Sequence, residues 1–377
     1  MHKIRNTPVI RRILLSSIVL SVVLMGSCGL ENLPGLFPST PTSPTTTLHS
    51  APPTTITNGE LQVIFFDVGQ ADCALVKTAN HAMLIDAGNL GQDNLVLGYL
   101  ASYGIKSLDY VVATHPHADH IGAMAAVIRA MDNIGTVLMP DAVSNTRTFE
   151  NMLDAIEERD VSITIAKPGD TFTLGDAQIQ ILAPGSTAYS DLNDFSVVLR
   201  VTFGGSVFLF TGDADTKSEN EQLASGLQLS ADVLKVGHHG SRTSSLQRYL
   251  DAVSPSFAVI SCGQGNSYGH PHREAMARLT GTGAEIYRTD ENGTIIFTTD
   301  GTTITVSTLR GTGAQSSAQT TTAPAVSNET THIGNINSKV FHLPTCSSLP
   351  QEQNRVYFTT RLEAIGAGYT PCSICKP

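Results

Sequence analysis

The sequence contains no tryptophan, so none of its packing or binding rests on an indole. Charged residues make up only 15% of the chain, and acids outnumber bases enough to leave a formal net charge of −10. Such a chain lacks the broad cationic field on which nonspecific nucleic-acid binding depends. Any contact with DNA or RNA has to be local or carried by metal ions. No internal repeat is present, which removes array architectures. The apolar run from Ile13 to Met25 is too short for an ordinary membrane-spanning helix. What the chain does have is ordinary for a soluble globular protein: 41% apolar residues, abundant glycine, and 377 residues, enough for two or three domains.

Lys3, Arg5, Arg11 and Arg12 precede the apolar run and Gly26-Ser27-Cys28 follows it. A basic segment, an apolar segment and small residues make a secretory leader over 1–27. The small-small-Cys ending resembles a bacterial lipoprotein signal, which implies lipidation at Cys28 and anchoring to the outer face of the cytoplasmic membrane. A plain secretory signal or a short retained anchor are the other readings, and all three place the remainder outside the cytoplasm. Residues 28–58 are rich in Pro, Ser and Thr and read as an extended tether. A second spacer occupies 310–330. Between them, 59–309 forms one domain, and 331–377 a small C-terminal unit.

The central domain alternates strand and helix patterns. Strands are expected at Leu61–Asp67, Ala74–Lys77, Ala82–Ile85 and Leu108–Thr114, then within Asp170–Pro184, Phe195–Phe203 and Ser206–Phe210. Further strands follow at Asp232–Val236, Phe257–Ser261, Glu285–Arg288, Thr294–Thr298 and Thr303–Ser307. Helices are expected at Asn94–Tyr103, Ile121–Met131, Thr216–Gly226 and Ser245–Ala252. This order suits an α+β fold of two sheets covered on their outer faces by helices.

The strand ending at Thr114 delivers His115-Pro-His117-Ala-Asp119-His120, four potential metal ligands in six residues. Imidazole and carboxylate suit zinc or manganese. The first two imidazoles can face one ion while the Asp-His pair faces a second. Three imidazoles this close would be wasted on packing.

This motif resembles the signature of the metallo-β-lactamase superfamily. Asp67-Val68-Gly69-Gln70-Ala71-Asp72, Asn193-Asp194-Phe195-Ser196, Thr211-Gly212-Asp213, Leu234-Lys235-Val236-Gly237-His238-His239-Gly240-Ser241 and Asn266-Ser267-Tyr268-Gly269-His270-Pro271 resemble the hydrolase domain of the bacterial competence protein ComEC. The resemblance implies a four-layer αββα fold with two divalent ions, zinc or manganese. It places His115 and His117 at the first ion, Asp119, His120 and His238 at the second, and Asp213 between them. His239 is an alternative ligand or a proton donor. Asp86 orients an imidazole from behind. Asp119, Lys235, His239 and His270 are the expected catalytic groups, with His270 a phosphate contact or general acid. Asn193, Ser241 and Asn266 are the expected substrate contacts. Many superfamily members carry another histidine where this chain has none, between His120 and His238. Asn193 or Asp194 is expected to replace it, leaving a first site softer in metal choice. The membrane spans of ComEC have no counterpart here, so DNA transport is not implied. The expected activity is cleavage of DNA or another phosphodiester by a monomer. The alternatives are hydrolysis of an envelope ester, lactone or β-lactam, and noncatalytic DNA capture.

In the C-terminal unit, His342-x₃-Cys346 and Cys372-x₂-Cys375 have zinc spacing. A disulfide is permitted outside the cytoplasm, but three cysteines would leave an odd thiol. The segments around these residues resemble the zinc domain of the Ada DNA-repair protein. That family supplies four cysteines, so His342 is the expected fourth ligand of one structural zinc. Ada's methyl transfer is not carried over. DNA binding by this unit and a purely structural or protein-binding role both stand as readings.

Overall fold

The structure is a computed structural model that describes residues 56–310, 317–319, 332–358, 364, 367 and 369–375. The lipidation candidate Cys28, the leader and most of both spacers lie outside the described residues.

Short apolar runs of strand length build two sheets. The first contains β1 (Leu61–Phe65), β2 (Ala74–Lys77), β3 (Ala82–Ile85), β4 (Ser107–Val112), β5 (Asn133–Met139) and β6 (Ser162–Ile165). The second contains β7 (Thr171–Leu174), β8 (Ala177–Ala183), β9 (Val198–Phe203), β10 (Ser206–Phe210), β11 (Val233–Lys235), β12 (Phe257–Ile260) and β13 (Glu285–Arg288). The chain then returns to the first sheet as β14 (Ile295–Thr299), β15 (Ile304–Thr308) and β16 (Ser317–Gln319). The strand orders are β16-β15-β14-β1-β2-β3-β4-β5-β6 and β13-β12-β11-β10-β9-β8-β7. β3 through β6 run parallel, as do β10 through β13.

Side chains alternate across a strand, and here the alternation sorts them between separate cores. Leu61, Val63 and Phe65 of β1 enter the core between the sheets with Leu199, Val201, Phe208 and Phe297. Ile64, between them in sequence, enters an outer core with Leu84, Val111, Val127 and Phe149. On the far side Leu209, Leu234 and Ala258 pack under helices through Tyr249, Leu250 and Leu279. Three cores separate four layers, which is the αββα arrangement expected. Covering the first sheet are α1 (Asp93–Ser102), α2 (Ala118–Ile121), α3 (Met124–Ala130) and α4 (Arg147–Glu158). α5 (Thr216–Ala224), α6 (Gln247–Val253) and α7 (Arg273–Thr282) belong to the second sheet's side.

Two departures from the sequence reading have physical causes. The helix expected over Ile121–Met131 starts earlier, inside the histidine motif, and breaks into α2 and α3. Gly122 at the break sits so close to Asn89 that a Cβ would lie 2.1 Å from its carbonyl carbon. The segment 132–169, given no elements in the sequence reading, holds β5, α4 and β6. α4 is amphipathic, burying Phe149, Met152, Ala155 and Ile156, and the Oγ1 of its cap Thr146 accepts from Phe149 N.

The chain divides into two compact units after Thr320. The second contains β17 (His332–Asn335), β18 (Val340–His342), β19 (Arg355–Phe358) and β20 (Thr370–Pro371), ordered β19-β17-β18-β20 around Phe341, Phe358, Ala364 and Tyr369. Among the described residues no helix is long and apolar enough to cross a membrane.

Phe297 is fully buried between the sheets, its ring within 5.5–6.3 Å of those of Phe65, Phe208, Phe257 and Tyr287. Phe297→Ala is expected to destabilise the domain by about 3–5 kcal/mol, read as a lowered urea midpoint at unchanged slope.

Candidate metal centre

Every segment of the histidine motif's neighbourhood hangs from the C-terminal end of a strand. Asp72 lies in the loop after β1, Asp86 follows β3, His115 to His120 follow β4, and Asp213 follows β10. His238 and His239 follow β11, and His270 lies in the loop after β12. Loops at this end of parallel strands are where α/β sheets collect ligands.

Asp86 organises the floor. Its Oδ1 accepts from Thr114 N at 2.9 Å and its Oδ2 from Thr114 Oγ1 and His120 Nδ1, both at 2.7 Å. With Nδ1 donating, His120 presents the lone pair of Nε2, 3.3 Å from Asp213 Oδ1. His239 is held in the same way: Nδ1 donates to the Ser261 carbonyl at 2.9 Å, and Nε2 lies 3.4 Å from Asp119 Oδ2 and 3.5 Å from Asp213 Oδ2. One ligand atom each from Asp119, His120, Asp213 and His239 falls within 4.8 Å of the others. His120 Nε2, Asp213 Oδ1 and His239 Nε2 are buried with no hydrogen-bond partner. Leaving such atoms unsatisfied costs about 1–3 kcal/mol each, so these residues fit a divalent cation, which takes all of the converging lone pairs.

Beside this group His115 Nε2 faces His117 Nδ1 at 3.0 Å, and the His115 ring centroid is 4.2 Å from that of His120. Ser196 Oγ lies 3.3 Å from His115 Nδ1 and accepts from Asp213 N at 3.0 Å, which ties the two halves together. Asn193, on the turn leading to Ser196, has a buried Oδ1 without a hydrogen-bond partner.

The electrostatics bind the groups into one unit. Burial would raise the Asp213 carboxyl, but the imidazoles of His120 and His239 outweigh it and hold it well below the usual range. Burial would lower His120, yet Asp213 and Asp86 raise it well above its ordinary value. The same contest, against Asp213 and Asp72, pushes His239 up to about 10. His115 goes the other way, lowered by burial and by His120. A divalent ion supplies the charge that these imidazoles otherwise carry, to the same lone pairs, with the rings neutral.

The description of the metallo-beta-lactamase superfamily matches residues 66–264 of this chain. The chain belongs to the metallo-β-lactamase superfamily. Residues 321–377 match the metal binding domain of Ada. The chain is 32% identical over 257 residues to ComE operon protein 3 of Bacillus subtilis, covering 63% of this chain and 33% of that protein. It is 33% identical over 245 residues to competence protein ComA of Neisseria gonorrhoeae, covering 64% and 33%. The chain thus spans about a third of the length of these curated relatives. Among solved structures it is similar to the metallo-beta-lactamase fold protein YhfI from Bacillus subtilis, with 14% identity, 64% of this chain and 100% of that chain covered, and a TM-score of 0.45.

Several residues of this superfamily member stand elsewhere than the sequence reading put them. His238 does not close the second group. Its Nδ1 donates to Asp215 Oδ1 at 3.1 Å and its Nε2 is 3.8 Å from Asp213 Oδ2, while His239 occupies the expected place. Both histidines are left-handed, at φ 48° and 52°, and this turn aims the second ring inward. Lys235 does not meet substrate: on the central strand β11 it is buried, paired with Asp72, and 3.4 Å from the Gly212 carbonyl. Ser241 is buried against Thr243 Oγ1 at 2.8 Å. Asn266 spends its amide on its own turn, donating to Gly263 O and His270 O and accepting from His270 N. Both support loops rather than offering substrate contacts.

His270 is half-buried on the rim and its Nδ1 accepts from Gln70 Nε2 at 3.3 Å. Burial and the neighbouring His239 push it down to about 4. Burial would raise the partly exposed Asp119 carboxyl, but the neighbouring imidazoles of His239 and His120 outweigh it and lower it from its usual value.

Sequence reasoning missed a role for Asp72. It lies 3.3 Å from His239 Nδ1 and pairs with Lys235, which holds its carboxyl at about 2 against burial. Its signal was its place in the Asp67 to Asp72 motif. Gln70, Ser196 and Ser261 were also missed, because each acts by touching a histidine distant in sequence.

In the second unit His342, Cys346, Cys372 and Cys375 bring one ligand atom each within 4.8 Å of the others. His342 Nδ1 is buried with no hydrogen-bond partner. Hydrogen bonds from Ser348 lower Cys346 to about 6, and the amides of Cys375 and Ile374 lower Cys372, while burial lifts Cys375 to about 11. Two thiols that deprotonate readily, beside a third and an unsatisfied imidazole nitrogen, fit a zinc ion, and the three cysteines are free. Cys73 and Cys262 are buried packing residues in the first unit.

Asp86→Ala is expected to weaken metal binding in the hydrolase domain about 10- to 100-fold, measured by chelator competition. His239→Ala should lower metal content by mass spectrometry, and His238→Ala should leave it near the parent level; the reverse order would return His238 to the site. Cys372→Ser should release the ion of the C-terminal unit, seen with a colorimetric zinc dye, and leave the hydrolase-domain metal in place.

Proposed function

We propose that the chain is a metal-dependent phosphodiesterase that cleaves DNA outside the cytoplasm, held to the outer face of the cytoplasmic membrane by a lipid on Cys28. The carrying observation is the buried Asp213 carboxylate flanked by the lone pairs of His120 and His239, with the His115–His117 pair beside it. His115, His117, Asn193 and Asp213 would hold one ion, and Asp119, His120, Asp213 and His239 the other. Zinc or manganese there supplies an activated water and offsets charge developing on a phosphoryl oxygen. Asp213 would belong to both groups: its oxygens face His120 and His239, and Ser196, which accepts from its backbone N–H, lies against His115. Asp86, Ser261 and Asp72 keep the histidine rings aimed, which removes reorganisation from the reaction. Asp119, the most open of the group, faces where substrate enters.

DNA as the substrate is supported by the competence proteins that the domain resembles. With a net charge of −10 the surface does not hold phosphate, so the metals and the rim have to. His270, anchored by Gln70, donates from its remaining N–H to an oxygen of the diester. In the C-terminal unit, His342, Cys346, Cys372 and Cys375 would hold a structural zinc, which a chain this short uses as a staple. The protein acts as a monomer in this reading.

The test is cleavage of single- and double-stranded DNA with added Zn²⁺ or Mn²⁺, with chelator, and with Asp213→Ala. Cutting that needs metal and falls by more than roughly 100-fold in Asp213→Ala is expected, because a ligand outweighs the 10- to 100-fold cost of its supporting partners. No cutting with any ion, despite bound metal, would move the assignment to an envelope ester or lactone.

A further inference from the structure

Three flat rings step from solvent toward the metal cluster. Tyr268 is 66% exposed. Its ring centroid lies 5.7 Å from that of His270, with only 21° between the planes. His270 in turn lies 6.2 Å from His239 at 28°. The turn that carries both outer rings is stiff. Asn266 braces it through Gly263 and His270, and Gln70 fixes the His270 ring. Among the described residues of the hydrolase domain, Tyr268 is the only aromatic among the exposed large hydrophobics, the others there being Leu90 and Val143. The outer face of Tyr268 is thus held open to solvent, in line with the rings that lead to the candidate metal centre. A cation joins the same rim through His272: Arg242 is exposed, with Nη2 3.0 Å from His272 Nε2, and the His272 ring is 4.7 Å from that of His270.

We propose that Tyr268 is a nucleobase-stacking platform that makes single-stranded nucleic acid the preferred substrate. A base lies on its outer face, the attached phosphate falls toward the metal cluster, and Arg242 meets the adjoining phosphate. This rests on the phosphodiester reading and narrows it to a substrate class. The choice of single over double strand follows from two facts. In a duplex the faces of the bases are already covered by their neighbours, so a fixed ring reaches them only at an end or after flipping. The chain also lacks the cationic surface that grips duplex phosphates without regard to sequence. Stacking supplies affinity that needs no net positive charge, and every base offers a face for it.

Because the chain has no tryptophan, Tyr268→Trp introduces a single reporter at the platform. Its emission is titrated in the full protein with a short single-stranded phosphorothioate oligonucleotide, an abasic strand of equal length, and a blunt duplex. Quenching by the base-bearing single strand, and little by the other two, is expected. In steady-state cleavage, Tyr268→Ala should raise KM for single strands by about 10-fold, the size of one base–aromatic stack, with kcat held, and Tyr268→Phe should restore KM. Equal quenching by the abasic strand, or a fall in kcat with KM unchanged, would overturn the platform. Quenching without any cleavage would sustain the platform and sink the nuclease reading. Cleavage without quenching would sink the platform alone.

Discussion

A carboxylate taken out of water has to be compensated, and the hydrolase domain is built around one such group. Asp213 is almost fully buried, with His120 Nε2 on one oxygen and His239 Nε2 near the other. Asp213 Oδ1, His120 Nε2 and His239 Nε2 are not satisfied by ordinary hydrogen bonding. The arrangement survives only because each imidazole is fastened from behind, His120 by Asp86 and His239 by the Ser261 carbonyl. Removing those fastenings would let the rings turn toward other partners and would collapse the convergence that suits a cation.

The two sheets make that convergence possible. Asp86 and the histidine motif come from neighbouring parallel strands of one sheet, and Asp213 and His239 from neighbouring parallel strands of the other. The core between them, dense with Phe65, Phe208, Phe210 and Phe297, sets how far apart the two groups of ligands stand. A close-packed interior deforms little, so the spacing of the ligands inherits the rigidity of the apolar sandwich. The pairing of Lys235 with Asp72 belongs to the same scheme. A lysine buried on an interior strand needs a polar partner, and the acid it meets is the one 3.3 Å from His239 Nδ1.

The second unit solves a different problem. Its apolar core is small, centred on Phe341, Phe358, Ala364 and Tyr369. A cluster of three thiols and one imidazole supplies the crosslink that burial alone cannot. At the rim of the hydrolase domain, Tyr268 and His270 stand on the turn after β12, and Arg242 lies against His272 next to it.

The sequence by itself determined the four layers, through strand-length apolar runs separated by helices, and it determined which residue types meet a metal. His115, His117, Asp119 and His120 were legible because a ligand-rich motif directly after an apolar strand has little other use, whereas Asp213 came only through the resemblance of Thr211-Gly212-Asp213 to a known hydrolase motif. The four zinc-spaced residues of the C-terminal unit were legible for the same reason. The tertiary structure decided the rest. The adjacent pair His238 and His239 is symmetric in sequence, and only the left-handed turn distinguishes the ring that points inward. Lys235, Ser241 and Asn266 look like substrate contacts until burial and spent hydrogen bonds show that they hold the scaffold. Asp72 and Tyr268 could not be given roles from the chain, because each acts on a group nearby in space and remote or unmarked in sequence. Residue type is a local property, whereas the direction a side chain faces and the partner that uses up its polar atoms are settled only when distant strands pack together.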